Sequence, residues 1–377
     1  MKIAMTLFKY FPYGGLQRDF LRMARVCADR GHRVTVFAGE WTGDKPDWLD
    51  IRMIPLKKWS NHGRAAEFER KFGRIIRQET FDLTVGFNRM AYLDFYFAAD
   101  NCLIMRDRAR HPDWWLGLVP RYRAWHRQER AVVGREADTV IMYITPHQKR
   151  DYQAVYGTPA ERFRYLPPGI DVTCRRPENA QEKRDVKRRE LGLSENEILL
   201  LLVGSNFRGK GVDRLFRAAA QVPDSVHYRI FIAGDCSPKG FEELAEELNI
   251  RSRVTFGGGR GDVADLLLAA DLMVHPARDE ATGTVLTEAL AAGLPVICSE
   301  ACGFHNFVEE SGGIVTREPF RQAELDQQLK QALTPESLTE LKRRALEYSR
   351  TADFYRRAEV AADLFEDAFK LKNNITL

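Results

Sequence analysis

Two glutamates, Glu280 and Glu288, stand eight positions apart with only small, β-branched or apolar residues between them. On one continuous helix their Cα atoms would lie roughly 12 Å apart along the axis. That exceeds the roughly 5 to 9.5 Å of two carboxylates flanking a glycosidic bond. The spacing therefore predicts Glu280 ahead of a helix, a turn at Gly283, and Glu288 one turn inside, with first-turn amides pointing into the gap. Carboxylates accept from hydroxyls, which sugars supply in number, and free amides suit phosphate oxygens. Ala281, Thr282, Gly283 and Thr284 are small enough to let a ligand touch backbone.

A second candidate is "VGSNFRGKGVDR", where Gly204 closes a run of leucines and Arg208, Lys210 and Gly211 precede an expected helix. Two cations beside unpaired first-turn amides make an anion site. The order G-x-x-x-x-G-K-S/T is absent, and so is G-x-G-x-x-G, which removes a Walker loop and a dinucleotide turn.

These stretches need elements to hold them. Ile3 to Phe8 reads as a buried strand, Lys9 to Gly15 as a Pro- and Gly-bearing loop, and Leu16, Phe20, Met23, Ala24 and Cys27 recur at helical spacing before the strand "RVTVFAG". "FDLTVGF" and "DTVIMYIT" add strands. After the charged, proline-rich run that begins "LPPGIDVTCRRPENAQ", a second cycle opens with "NEILLLLVGSNF" and continues through "HYRIFIAG", "DLMVHPA" and "LPVICSE". The fold class is α/β: two doubly wound, Rossmann-like domains, residues 1–170 and 171–354, facing each other across a cleft. A single amphipathic helix read across "TADFYRRAEVAADLFEDAFKLK" should pack back on the first domain over about 355–377.

Composition bounds the rest. A chain of 377 residues with 44% hydrophobic content can bury two cores, and a net charge of +4 is too mild for a dedicated nucleic-acid binder. Six scattered cysteines form no C-x-x-C pair, which argues for reduced thiols and against zinc or a disulfide framework. No D-x-D or His cluster suggests a metal, and neither a signal-like h-region nor 18 consecutive apolar residues are present.

"VGSNFRGKGVDRL", the stretch from "VTFGGGRGDV" through "GLPVI", and "LPPGID" at the domain junction resemble, in order and spacing, the retaining glycosyltransferases of family 4, which have the two-domain GT-B fold. "KYFPYGGLQRDF", "NHGRAAEF", "VGFN" and "LDFYFAAD" are similar to the members acting on the lipopolysaccharide core. The resemblance implies transfer of a hexosyl unit (glucose or a related hexose or N-acetylhexosamine) from a UDP-sugar to heptose I of the inner core, with retention. The alternative is another membrane-associated glycan acceptor. It puts Lys210, with Arg208, on the diphosphate, Glu280 on donor-sugar hydroxyls, the amides of Thr282 to Val285 on the ligand, and Glu288 on the ribose. "GGGRGDV", with Arg260, would flank the uracil. The family often has Arg directly after the strand-ending glycine, whereas Ser205 stands there and Arg208 follows later. Gly14 and Gly15 would lie where the backbone approaches the diphosphate. Asp19, placed in the first turn of the following helix, or Asp100, ending a buried segment, would handle the acceptor hydroxyl. The resemblance also implies that the leaving diphosphate itself would assist that hydroxyl, so no cofactor or metal is expected.

Residues 103–130 carry seven arginines against three acids, interleaved with Trp114, Trp115, Tyr122 and Trp125. Arg106, Arg108, Arg121 and Arg123 beside these aromatics suit the surface of an anionic leaflet. A monomer working peripherally at the cytoplasmic face of the bacterial inner membrane is the implied setting, without a nucleic-acid partner.

Overall fold

Apolar runs bounded by glycine-bearing loops fold as parallel strands buried on both faces. The structure, a computed structural model, describes residues 1–12 and 14–373. It divides into two units, one comprising Met1–Gly169 and the C-terminal segment from Arg356, the other Ile170–Tyr355.

The first unit holds seven strands, β1 (Lys2–Tyr10), β2 (Arg33–Trp41), β3 (Asp50–Met53), β4 (Leu83–Gly86), β5 (Phe95–Ala98), β6 (Val140–Tyr143) and β7 (Phe163–Tyr165). Their spatial order is β3-β2-β1-β4-β5-β6-β7, and every adjacent pair is parallel. The strand order reverses between β1 and β4. The helix Gly15–Asp29 turns Phe20, Met23, Ala24 and Cys27 into one face of this sheet, as their spacing requires.

The second unit holds β8 (Ile198–Val203), β9 (Tyr228–Ala233), β10 (Val254–Gly258), β11 (Leu272–His275), β12 (Val296–Ser299) and β13 (Ile314–Thr316), all parallel, in the order β10-β9-β8-β11-β12-β13. Its reversal falls between β8 and β11. In such sheets ligands bind beyond the carboxyl ends of the two strands that flank the reversal. Those ends carry the Lys210 loop and the Glu280 loop.

Two readings of the sequence change. The charged run after residue 174 is not all linker: Ala180–Glu190 is a helix. It forms because its cations have buried partners. Arg184 and Arg188 reach Asp271 at 2.7 and 2.9 Å, and Lys187 reaches Asp262 at 2.9 Å. The stretch 351–372 is not one helix either. Thr351 ends the helix Pro335–Thr351, and a new helix spans Arg357–Lys372. Phe354 is buried in the core of the second unit and its carbonyl accepts from Ile170 N, whereas Ala358, Ala361, Ala362 and Phe365 enter the core of the first. One helix cannot serve two cores, so the chain breaks between them. The last four residues of the expected 355–377 helix lie outside the described residues.

Candidate active site

After β8 the chain passes Gly204 and makes one helical turn, Phe207–Lys210, capped by the Asn206 side chain accepting from Gly209 N at 3.0 Å. Gly211 follows with φ +77°, and a Cβ there would lie 2.1 Å from the Pro276 carbonyl oxygen. Only glycine permits both the left-handed backbone and this approach to the end of β11. The helix Val212–Ala219 then begins.

After β11, Arg278 fastens the two loops together. Its amide donates to the Gly209 carbonyl at 2.8 Å, its guanidinium donates to the Arg208 carbonyl at 2.8 Å, and two further bonds of 2.8 and 2.7 Å reach the Asp213 carboxylate. Bidentate geometry of this kind fixes orientation as well as distance. Glu280 then bridges to Cys302, with Gly303 N donating to its carbonyl at 3.0 Å and Phe304 N to that of Thr282 at 2.7 Å. Gly283, at φ +80°, turns the chain into the helix Thr284–Ala291, which carries Glu288. This is the arrangement the eight-residue spacing predicts: one carboxylate before the turn, one inside the helix, small residues between.

The result is a direct contact between the Lys210 ammonium and the Glu280 carboxylate, both largely buried. Burial draws the Lys210 pKa below its ordinary value, against the opposing pull of Cys302 and Asp279. The touching Glu280 carboxylate favours the charged form. Beneath them lies His275, fully buried, its Nε2 3.6 Å from Glu280 Oε2. Burial first, and the Lys210 charge second, hold that imidazole neutral by lowering its pKa to about 3.

The other expected donor residues are placed as follows. Ser205 is exposed and its Oγ accepts from Asp235 N at 3.3 Å. Arg208 is exposed, and no ion pair engages its guanidinium among the described residues. Arg260 is held by Asp262 at 2.7 Å through Nε, in the loop between β10 and the helix Val263–Ala269. Among the described residues no group of three His, Cys, Asp or Glu side chains could hold a metal ion.

In the first unit, Gly14 is the N-cap of its helix, and a Cβ there would strike the Gln17 side chain, whereas a Cβ on Gly15 would meet nothing within 4 Å. Asp19 is not in the first turn. It is the fifth helical residue, and its carboxylate accepts from buried Arg357 at 2.7 Å. That pairing gives it a structural duty which the sequence did not suggest, because its partner lies 338 residues away. Asp100 stays exposed, 3.6 Å from Arg89, at a cavity of about 250 Å3 lined by Phe87, Asn88, Arg89, Trp125 and Gln128. This cavity sits beyond the ends of β1, β4 and β5, at the reversal of the first sheet.

The basic aromatic segment folds as the helices Leu103–Arg108, Asp113–Leu118 and Pro120–Val133. Its three tryptophans are not equivalent. Trp114 is 68% exposed beside Leu118 at 69%, whereas Trp115 packs on His111 and Tyr122, and Trp125 and Arg106 line the cavity. Arg106 pairs with Asp107 and Arg108 with Asp113, while Arg121 lies over the Tyr122 ring. A groove on this segment is lined by Arg108, Arg123, Arg127 and Arg130. No helix among the described residues is long and apolar enough to cross a membrane.

Two parallel α/β units, with a cation loop and a carboxylate loop meeting at one strand reversal, define a nucleotide-sugar-dependent transferase of GT-B architecture. Residues 13–173 match the model of glycosyltransferase family 4 and residues 183–352 that of the group 1 glycosyl transferases. The chain belongs to the family 4 glycosyltransferases. It is 42% identical over 368 residues to the lipopolysaccharide glucosyltransferase WaaG of Escherichia coli K12, covering 97% of this chain and 98% of that protein. The crystal structure of WaaG, a glycosyltransferase involved in lipopolysaccharide biosynthesis, superposes with a TM-score of 0.86 at 41% identity, over 96% of this chain and 99% of that one. The Anabaena protein Alr3699/HepE, crystallised with UDP and glucose, has a TM-score of 0.73 at 17% identity, over 98% and 100% of the two chains, and shares the fold.

Proposed function

We propose that this enzyme transfers a hexosyl unit, with retention, from a UDP-sugar to heptose I of the lipopolysaccharide inner core. The observation that carries this reading is the meeting of Lys210 and Glu280 at the strand reversal of the second sheet, one turn from Glu288, in a chain similar to WaaG along almost its whole length. On this reading the donor diphosphate takes Lys210, with Arg208 and the amides of Thr284 and Val285 sharing its charge. Glu280 accepts from hydroxyls of the transferred hexose, Glu288 from the ribose, and the loop bearing Arg260 flanks the uracil. Ser205, Ala281, Thr282 and Gly283 complete the contact surface.

The reaction has no need of a protein nucleophile. The glycosidic carbon–oxygen bond to the β-phosphate breaks, and a departing phosphate oxygen takes the proton of the acceptor hydroxyl as it attacks the same face. Stabilising the departing charge in a partly buried site is the largest catalytic contribution of the protein. We place the acceptor saccharide on the first unit, at the cavity bordered by Asp100, where hydroxyl acceptors and aromatic rings stand together. Asp19, tied to Arg357, keeps the helix Gly15–Asp29 in register instead of handling the proton.

We also place the enzyme, as a monomer, on the anionic inner leaflet through Trp114, Leu118 and the arginine-lined groove. Each cation near such a surface contributes about 1 kcal/mol. Lys210→Ala or Glu288→Ala should abolish transfer from UDP-glucose to a heptose-terminated core acceptor while far-UV circular dichroism shows the fold retained. Full activity in either variant rejects the donor assignment. Replacing Trp114, Arg121 and Arg123 together should release the protein from anionic vesicles in a sedimentation assay, and unchanged binding removes that surface from the reading.

A further inference from the structure

His275 is the last residue of β11 and is wholly shielded from solvent, yet neither ring nitrogen has a hydrogen-bond partner among the described residues. A buried polar atom left in this way costs about 1 to 3 kcal/mol and calls for an explanation. Its backbone carbonyl is held, accepting from Ala277 N at 2.9 Å and from the Cys302 thiol at 3.7 Å, so the strand end fixes where the ring sits. The nearest anionic atom is Glu280 Oε2, 3.6 Å from Nε2. With the ring neutral, that separation is neither an ion pair nor a hydrogen bond. It falls short of one by about half an ångström, and the same oxygen is the one held by Lys210.

We propose that His275 is a positioning residue that takes over Glu280 when the donor arrives: Lys210 transfers its ammonium to the diphosphate, and the freed carboxylate closes onto Nε2–H. The inference rests on the donor site proposed above. Without a replacement donor, Glu280 would face the hexose as a partly buried carboxylate stripped of its counter-charge, and its two oxygens would be free to swing. With His275 holding one oxygen, the other stays aimed at the sugar hydroxyls. A neutral imidazole suits this exchange better than a cation. It carries one N–H, adds no repulsion beside Lys210 in the empty site, and does not compete with the sugar for the full charge of the carboxylate. Glu280 selects the tautomer protonated at Nε2, because it is the acceptor within reach.

The test uses the full-length enzyme and three preparations. His275→Gln keeps an N–H donor of similar reach, and His275→Leu keeps bulk without one. UDP affinity by calorimetry should stay within about 2-fold of the parent in both, since UDP lacks the hexose and holds Lys210 in either case. With UDP-glucose, kcat/KM should fall about 30-fold in His275→Leu and recover to within about 3-fold in His275→Gln. Wild-type turnover by His275→Leu overturns the proposal. So does equal loss in both variants accompanied by loss of UDP binding, which marks a packing role. Should the leucine variant fail to fold, nitrogen-15 spectra of the unmodified enzyme decide. The His275 Nε2–H resonance should move downfield on saturation with UDP-glucose in the absence of acceptor, and an unmoved ring signal overturns the proposal. Failure of the parent to bind UDP at all is a different result, which sinks the donor site itself.

Discussion

Gly211→Ala puts the geometry of the cation loop to a quantitative test. The backbone there has φ +77°, and an alanine Cβ would lie 2.1 Å from the Pro276 carbonyl oxygen, which belongs to the backbone just beyond β11 and cannot rotate away. The left-handed conformation alone costs about 1 to 2 kcal/mol. Relieving the overlap adds about 1 to 3 kcal/mol, as overpacking generally does. For a unit of this size each kcal/mol lowers Tm by about 2 to 4 °C, so the expected fall is about 4 to 20 °C. The loop must also retreat by about 1 Å, and a displacement of that size at a charge-stabilising group costs about 100-fold in rate. Gly240→Ala is the control without overlap. Its φ of +83° and ψ of −31° also disfavour a side chain, but nothing lies within 4 Å of the added carbon, so it carries conformational strain alone, no smaller than the roughly 1 to 2 kcal/mol at Gly211. Thermal unfolding and UDP-glucose turnover of the two variants, measured side by side, separate the contributions. If Gly211→Ala melts and turns over like Gly240→Ala, the close approach of the two loops is not what holds Lys210 in place.

Asp271 should prove a stability residue: it is 4% exposed and held by Arg184, Arg188 and Lys342. Asp271→Asn leaves two largely buried guanidinium groups without their counter-charge, and urea unfolding should report a loss of about 3 to 5 kcal/mol with donor affinity preserved in the folded fraction. A loss below about 1 kcal/mol contradicts the burial argument. The neutral His275 should steepen acid unfolding. Its folded pKa, about 3, lies below the unfolded value near 6.5, so between these limits the unfolded chain binds more protons. The stability it contributes is complete above about pH 6.5 and drains away as pH falls, at no more than about 1.4 kcal/mol per pH unit. Urea midpoints from pH 7 to pH 4.5 should therefore decline less steeply in His275→Gln than in the parent, and parallel curves refute it.

Local chemistry explains what could be read from the chain alone. Gly283 in a run of small residues announces a turn, Glu288 falls inside the helix that follows, and the leucine run before Gly204 is a buried strand, because each depends on neighbours a few positions away. Arg278 was invisible: its importance comes from the Arg208 carbonyl and Asp213, brought to it by the pairing of β8 with β11. His275 read as part of "DLMVHPA" because nothing in that string tells a shielded ring from an exposed one. The short strands β3, β7 and β13 escaped for a related reason, since three or four residues at a sheet edge carry too little periodicity to announce themselves. Asp19 was read without Arg357, because no local pattern reveals a partner 338 residues away.

The return of the final helix to the N-terminal sheet has a bearing on biogenesis. Ala358, Ala361, Ala362 and Phe365 plug a core whose other walls are built from residues that precede the second unit in the chain. That earlier portion therefore waits, with apolar surface uncovered, until the whole intervening unit has been synthesised. The unit from Ile170 to Tyr355 is continuous in the chain and can close as soon as it emerges. Order of synthesis and order of completion are thus opposed, and a nascent chain stalled before Ala358 would hold a finished second unit and an unfinished first one in need of a chaperone.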